Sequence, residues 1–188
     1  NKIIIKNLTY KRNNKFLFNK FNLIIDLKKT YCLWGESGSG KTTLLFLIMG
    51  ILKPDSGEVI YNNNHMYNIE ETSKIFSFAQ DPAKLIEGKT IIQNLHPSKN
   101  INRKKTINLF KKSFFINKKI LNSNLSSGEI KRITVSRALN SKSKLIILDE
   151  PTSNLDQINK KNLNKILKRE FKNKKAGLIY ATHDRKLK

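Results

Sequence analysis

Short apolar segments separated by polar turns run along most of the chain, and strand-like and helix-like segments alternate. Runs rich in branched and aromatic residues predict strands, because such side chains pack well on a pleated sheet. Longer segments that are apolar throughout, or apolar at every third or fourth position, predict helices. The predicted strands are 3–5, 21–27, 30–34, 58–61, 145–148 and 177–181, and the predicted helices are 43–52, the segment after Gly128, and 160–172. This alternation is typical of an α/β fold with a largely parallel sheet.

Two regions depart from an even alternation. The segment Leu145–Leu148 is apolar at every position, as expected of a central parallel strand that is covered on both faces. In the region 81–124, Lys and Asn dominate and apolar residues are scattered. That pattern favours short amphipathic helices. The scattered apolar positions are Ile107, Phe110, Phe114 and Phe115.

The composition favours one soluble, intracellular domain. A length of 188 residues suits a single domain, and 38% hydrophobic residues can form a core. Cys32 is the only cysteine in the sequence, which excludes an internal disulfide framework and suits a reducing compartment. The longest apolar run, Leu44–Leu52, has nine residues, whereas a bilayer-spanning helix needs about 20. We find no signal-peptide pattern, and the three histidines lack the spacing of a zinc site.

The formal net charge of +23 raises the question of nucleic-acid binding. Of the 37 basic residues, 31 are Lys and 6 are Arg, whereas bidentate recognition of phosphates and bases favours Arg. Lys, Asn and Ile all have A/T-rich codons, and the chain holds 31, 23 and 24 of them. We therefore interpret the lysines as solvated surface encoded by an A+T-rich genome, and we expect no specific nucleic-acid partner. A basic face towards nucleic acid or anionic lipid is the alternative.

A glycine-rich segment lies between the predicted strand 30–34 and the predicted helix 43–52. Its residues fit the pattern G-x-x-x-x-G-K-[ST] in full: Gly35, Glu36, Ser37, Gly38, Ser39, Gly40, Lys41 and Thr42. Glycines let successive backbone N–H groups surround phosphate oxygens, and the helix that begins near Lys41, with Thr43 in its first turn, adds its positive end. Lys41 would contact the β- and γ-phosphates, and the Thr42 hydroxyl would bind Mg²⁺. The segment predicts binding of a nucleoside triphosphate.

Two adjacent acids, Asp149 and Glu150, follow the apolar strand 145–148. In open α/β sheets, ligands bind at the carboxyl edge of the strands. Neighbouring side chains on a strand point to opposite faces, so the two carboxylates can do different work. We expect Asp149 to hold Mg²⁺ through its water shell and Glu150 to act on the attacking water.

With these two motifs in place, the chain resembles the nucleotide-binding domain of ATP-binding cassette (ABC) proteins over nearly its whole length. Leu125–Glu129 resembles the signature L-S-G-G-Q, Asp149–Asp156 resembles the Walker B motif and D-loop, Gln80 fits the Q-loop, and Thr182–Asp184 resembles the switch-histidine segment. The resemblance implies a P-loop NTPase fold with a mainly parallel sheet, an N-terminal antiparallel β subdomain and a small inserted α-helical subdomain. One domain, 1–188, would have its core at about 1–80 and 126–188 and its helical insertion at about 81–125.

The resemblance also implies roles for single residues. Gln80 would contact Mg²⁺ and the attacking water, and His183 would hydrogen-bond the γ-phosphate and align that water with Glu150. Tyr10, 25 positions before Gly35, stands where the family places an aromatic that stacks on adenine.

The signature residues would complete the site of another chain. Ser126, Ser127, Gly128 and Glu129 would bind the γ-phosphate held by a second subunit, so each chain carries two half-sites. Two copies, or this chain and a paralogue, would enclose two ATP molecules head to tail. Ser127 stands where the family prefers Gly, and Glu129 where it often has Gln. The added side chain at Ser127 predicts a weaker half-site.

The implied function is that of the ATPase subunit of a membrane transporter. A separate or fused permease would form the transport path and dock beside residues 81–124, on the inner face of the cell membrane. Gln80-Asp81-Pro82, followed by Gly88, Thr90-Ile91 and Asn94-Leu95, resembles exporter sequences. Gly35–Gly40 together with Asn154–Asp156 resembles the small stand-alone cassettes that serve peptide, lipoprotein or bacteriocin extrusion. We therefore expect export of peptide- or lipoprotein-type substrates. The alternative is a soluble ABC ATPase acting on the ribosome or nucleic acid, although the sequence has neither a second phosphate loop nor a heptad stretch.

Overall fold

A computed structural model describes residues 2–62, 64–65, 72, 74–95, 125–173 and 176–183. Its strands are β1 (Lys2–Arg12), β2 (Lys15–Asp26), β3 (Thr30–Trp34), β4 (Ser56–Tyr61), β5 (Asn64–His65), β6 (Phe76–Ala79), β7 (Leu145–Asp149) and β8 (Gly177–Thr182). Its helices are α1 (Lys41–Ile48), α2 (Ile91–Leu95), α3 (Ser127–Leu139) and α4 (Gln157–Asn173).

The first sheet is antiparallel, with the strand order β2-β1-β4-β5. Strands β1 and β2 form a hairpin in which Lys2 lies opposite Asp26 and Arg12 opposite Lys15. The two turn residues, Asn13 and Asn14, have φ of 50° and 59°, the left-handed conformation that tight hairpin turns require and that Asn tolerates. The expected N-terminal antiparallel unit is therefore confirmed, with strands longer than the predicted segments 3–5 and 21–27.

The second sheet is parallel, with the strand order β3-β8-β7-β6. Strand β7 lies between β8 and β6, and all five of its residues are buried. The predicted parallel sheet is confirmed. Strand β6 was not predicted, because four residues that include a central Ser77 are too short and too polar to stand out in the sequence.

Alternate residues of β7 face two different apolar layers. Leu145 and Ile147 belong to a core that α1 shares with the antiparallel sheet. Ile146 and Leu148 belong to a second core, which is formed with α3 and α4. The central sheet is therefore covered on both faces, and its carboxyl edge is left open for side chains that do chemistry.

The helices differ slightly from the predicted segments. Helix α1 begins at Lys41 and ends at Ile48, whereas the apolar pattern predicted 43–52. Helix α4 begins at Gln157, three residues before the predicted start. Helix α2 lies in the expected insertion, but most of that insertion, with the predicted amphipathic positions Ile107, Phe110, Phe114 and Phe115, lies outside the described residues.

Candidate functional site

The candidate site lies at the carboxyl edge of the parallel sheet. Parallel pairing aligns the strand ends, with Trp34 beside Thr182, Asp149 beside Ala181, and Ala79 beside Leu148. The residues that come immediately after or at these ends are Gly35, Gln80, Asp149, Glu150 and His183. Four segments that are distant in sequence thus deliver their predicted functional residues to one edge.

Glycines leave the backbone N–H groups of the phosphate loop accessible to a bound phosphate. Gly38 and Gly40 have φ of 82° and 92°, and Gly40 caps the start of α1. A β-carbon on Gly35 would lie 2.7 Å from Ser39 Oγ, so this position is closely packed. Lys41 Nζ donates to Gly35 O at 2.8 Å and to Glu36 O at 3.0 Å. The lysine therefore lies over the loop, close to where the triphosphate is expected.

Thr42 and Asp149 form the candidate metal-binding pair. Thr42 Oγ1 donates to Asp149 Oδ2 at 2.7 Å. Asp149 is 2% exposed, and its Oδ1 atom has no hydrogen-bond partner within the part of the chain that the structure describes. Burial raises the pKa of Asp149, and the Thr42 hydrogen bond and the positive charge of Lys131 act against that rise. A buried carboxylate oxygen with spare acceptor capacity beside a hydroxyl fits a divalent cation.

We expect Asp149→Asn to raise the thermal unfolding midpoint of the free chain at pH 7. The raised pKa means that folding favours the neutral carboxyl. The stability gained from protonated Asp149 is complete below its ordinary pKa of 3.8 and is lost as pH rises through the raised value. Above the raised pKa the wild type loses that contribution, whereas the neutral amide keeps it at every pH. Scanning calorimetry over a pH series should show the difference shrinking as pH falls.

Asp156→Asn is the matched control for this prediction. Hydrogen bonds from Asn159 lower the pKa of Asp156, so its ionised form stabilises the fold above its ordinary pKa. The same substitution should therefore lower the midpoint at pH 7. A midpoint that falls in Asp149→Asn would show that burial does not penalise this carboxylate.

Glu150 lies between two cationic or donor groups. Its Oε1 is 3.4 Å from Lys41 Nζ, and its Oε2 is 3.0 Å from His183 Nδ1 and accepts from the His183 backbone N–H at 3.4 Å. Its backbone has φ of 42°, and its N–H donates to Ala181 O at 2.9 Å. A left-handed backbone at a non-glycine residue is uncommon and is found preferentially at functional sites. The turn directs the carboxylate towards the phosphate loop, where it can accept a proton from water.

Gln80 directly follows β6 and is half-buried. The main-chain carbonyl of Gln80 accepts a hydrogen bond at 3.4 Å from Lys131 Nζ, which also contacts Asp81 Oδ1. Lys131 and Asp81 were not predicted as site residues. A single lysine on a helix is usually solvated, so the sequence carried no signal for its burial.

The signature segment begins α3 with a capping box. Ser126 Oγ accepts from Glu129 N at 3.3 Å, and the Ser126 N–H and hydroxyl both donate to Glu129 Oε2, at 2.8 and 2.9 Å. These hydrogen bonds lower the pKa of Glu129. Ser126 and Ser127 are exposed. A β-carbon on Gly128 would lie 3.0 Å from Asn154 O, so the signature packs against the turn that follows Glu150.

The hairpin of the antiparallel sheet approaches the phosphate loop. A β-carbon on Gly40 would lie 3.0 Å from the Leu17 side chain. Tyr10 is half-buried, packs against the core and pairs with Phe18 across the hairpin. Phe16, which the sequence did not single out, is 57% exposed, and Lys11 Nζ lies 4.7 Å from its ring centroid.

The region after Gln80 is fastened to α3 by polar contacts. The buried Asn94 side chain accepts from Ile86 N at 2.7 Å and from Arg137 Nη1 at 3.3 Å. It also donates to three carbonyls of the loop before α2. Arg137 Nη2 donates to Lys84 O at 3.1 Å. Asn94, from the exporter-like segment, and Arg137, near the end of α3, thus hold this loop in place.

Comparison with known proteins decides the family. Residues 18–153 match the family described as ABC transporter. The chain belongs to the ABC transporter family. It is an ATP-binding domain of the ATP-hydrolysing type in that family, as its motifs predicted. Among the described residues of this cassette, every helix is too short or too polar to cross a lipid bilayer.

Similar proteins are subunits of several transporters. The ergothioneine transport ATP-binding protein EgtV of Helicobacter pylori (strain G27) is 34% identical over 97% of this cassette and 90% of that protein. The lipoprotein-releasing system ATP-binding protein LolD of Wigglesworthia glossinidia brevipalpis is 29% identical, with coverages of 95% and 85%. The molybdate/tungstate import ATP-binding protein WtpC of Methanocaldococcus jannaschii is 31% identical, with coverages of 89% and 58%.

A solved structure confirms the fold. The dimeric structure of MJ0796, a bacterial ABC transporter cassette, superposes with a TM-score of 0.83 at 26% identity, covering 98% of this chain and 89% of that one. The expected P-loop NTPase fold is therefore confirmed. The relatives named above are all transporter proteins and give no support to the alternative of a ribosome- or nucleic-acid-directed ATPase.

Proposed function

We propose that this cassette powers the export of peptide- or lipoprotein-type substrates through a separate or fused permease on the inner face of the cell membrane. The observation that carries its ATPase role is the convergence of Lys41, Thr42, Asp149, Glu150 and His183 at one sheet edge. Those groups supply phosphate binding, metal ligands and a base within hydrogen-bonding reach of one another.

The phosphate loop, Gly35–Thr43, is proposed to surround the triphosphate. Lys41 Nζ can move from its loop carbonyls to the β- and γ-phosphates, since a lysine stem is flexible. Thr42, Asp149 and Gln80 would hold Mg²⁺, which supplies positive charge to the phosphate oxygens when bound. Glu150 would accept a proton from the attacking water, and His183 would keep the Glu150 carboxylate and that water aligned.

The base of ATP is proposed to stack near the hairpin. Tyr10 is the aromatic that the sequence predicts for this task, and its half-buried ring limits the face it can offer. Phe16 offers an exposed ring on the same hairpin as Leu17, which contacts the phosphate loop. Aromatic rings of either residue can stack on adenine, so both belong to the proposed base site.

A second cassette is proposed to complete each site. Ser126, Ser127, Gly128 and Glu129 would contact the γ-phosphate of the partner's ATP, where the amino end of α3 favours an anion. In the single chain the Ser126 donors are engaged by Glu129. The capping box must therefore rearrange as the two cassettes close on ATP. The structural relative with this fold is dimeric, which supports a paired arrangement.

The permease is proposed to dock on the loop and helix that follow Gln80. Ile86 and Ile92 are exposed there, and the contacts of Asn94 and Arg137 keep their backbone in place. An apolar surface on a braced loop suits a permease helix. Because the segment begins at Gln80, movement of the permease can reach the ATP site directly.

Export is favoured by the similarity to a lipoprotein-releasing protein, whereas the similarity to an import protein favours the opposite direction.

Reconstitution with the permease into inverted vesicles distinguishes export from import. Export predicts that added ATP and Mg²⁺ drive a labelled peptide or lipopeptide into the vesicle lumen. Import predicts ATP-driven loss of a small solute that was loaded into the lumen. Vesicles carrying Glu150→Gln are the control and should show neither movement.

A further inference from the structure

Lys131 is a buried cation in the middle of the candidate site. It lies on α3, and its side chain is 1% exposed. Its Nζ atom contacts Asp81 Oδ1 at 2.5 Å, Asp149 O at 3.3 Å and Gln80 O at 3.4 Å. An ammonium has three donors, so these three acceptors satisfy it completely.

The three acceptors of Lys131 belong to segments that contain proposed catalytic and metal-binding residues. Gln80 and Asp81 follow β6, and Asp149 is the last residue of β7. Asp81 Oδ1 also accepts from Ser153 Oγ at 2.7 Å, in the turn after Glu150. A single ammonium therefore joins the signature helix, both strand ends and, through Asp81, the turn behind Glu150.

Stability alone is a weak reason for this arrangement. Burying an ion pair costs desolvation that its attraction only partly returns, and apolar replacements of such pairs are often neutral or stabilising. What the contacts do provide is alignment. They fix the spacing between Gln80 and the end of β7, from which Asp149 and Glu150 project. A misplacement of about 1 Å in such groups can cost about 10²-fold in rate.

We infer that Lys131 is a positioning residue for ATP hydrolysis, which holds Gln80, Asp149 and Glu150 in register with one another and with the signature helix. This inference rests on the roles proposed above for those three residues. Lys131 touches neither the phosphate loop nor its lysine among the described contacts. Its loss should therefore lower the rate of the chemical step far more than the affinity for ATP.

The test is Lys131→Met in the full chain, which keeps the length of the side chain and removes its charge and donors. We expect kcat for ATP hydrolysis to fall by about 10–100-fold, with the KM for ATP unchanged within about twofold. Lys144→Met is the matched control, since Lys144 lies at the opposite end of β7 and donates to Tyr61 Oη. It should leave kcat at the wild-type value.

Asp81→Asn provides a second variant in case Lys131→Met folds poorly, because the Asp81 side chain is partly exposed and the amide keeps its shape. We expect the same fall in kcat, and no further fall when the two substitutions are combined. A kcat per folded molecule that stays at the wild-type value in both single variants would overturn the inference. So would a parallel rise in KM. Glu150→Gln in the same assay distinguishes a failure of this inference from a failure of the proposed ATP site. If Glu150→Gln hydrolyses ATP at the wild-type rate, the proposed site itself is wrong.

Discussion

Glu150→Gln is expected to lower the rate of ATP hydrolysis by about 10²–10⁴-fold, the usual cost of losing one positioned base. The carboxylate lies between Lys41 and His183, and an amide of the same shape can keep those contacts but cannot accept the proton of water. ATP affinity should stay close to that of the wild type, because the phosphate loop is unchanged. Single-turnover phosphate release and calorimetric titration measure the two quantities separately.

The matched control for this change is Glu58→Gln, which makes the same substitution in β4, away from the sheet edge. It should hydrolyse ATP at the wild-type rate. If Glu150→Gln also turns over at the wild-type rate, Glu150 is not the base, and the proton must leave the water by another route.

Ser126→Arg is expected to abolish an ATP-dependent dimer. Glu150→Gln should trap that dimer, because hydrolysis is blocked and ATP continues to bridge the two chains. Without ATP, two chains that each carry a net charge of +23 repel each other. Ser126 is exposed at the amino end of α3. An arginine side chain there would occupy the position of the γ-phosphate of the partner's ATP. Light scattering of the Ser126→Arg, Glu150→Gln double variant at saturating ATP should show monomer only, with ATP still bound at Lys41.

Ser126→Ala separates the bulk of the arginine from the loss of the helix cap. Losing the cap costs about 0.5–2 kcal/mol of stability, yet the alanine leaves the γ-phosphate position open, so a weakened dimer should persist. A dimer that survives Ser126→Arg would contradict the proposed half-site. If Glu150→Gln alone stays monomeric, Ser127→Gly should restore the dimer in a homodimeric system, and failure to do so would indicate a paralogue as partner.

The sequence predicts the structural elements of this cassette well wherever neighbouring residues determine them. The phosphate loop needs glycines at fixed positions, and the acids after 145–148 follow an unmistakable buried strand. Both features are readable because neighbouring residues determine them. The apolar pattern places the start of α1 at Thr43, whereas the phosphate-loop motif places it near Lys41, where the structure has it behind the left-handed Gly40.

Long-range pairing accounts for most of what the sequence did not predict. Strand β1 extends to Arg12 because β2 and β4 supply partners for its polar half. The burial of Lys131 depends on Asp81, 50 positions away, and no periodicity reveals such a contact. The left-handed turn at Glu150 is likewise set by its hydrogen bond to β8.

Trp34 ends β3 beside Thr182 and immediately precedes the phosphate loop. It is the single tryptophan of the sequence, and it is 42% exposed. Its fluorescence therefore arises from one place, at the border between the phosphate loop and the His183 segment. An emission maximum that depends on the polarity around one indole gives this ATPase a built-in optical reporter, with no label attached and no background from other tryptophans.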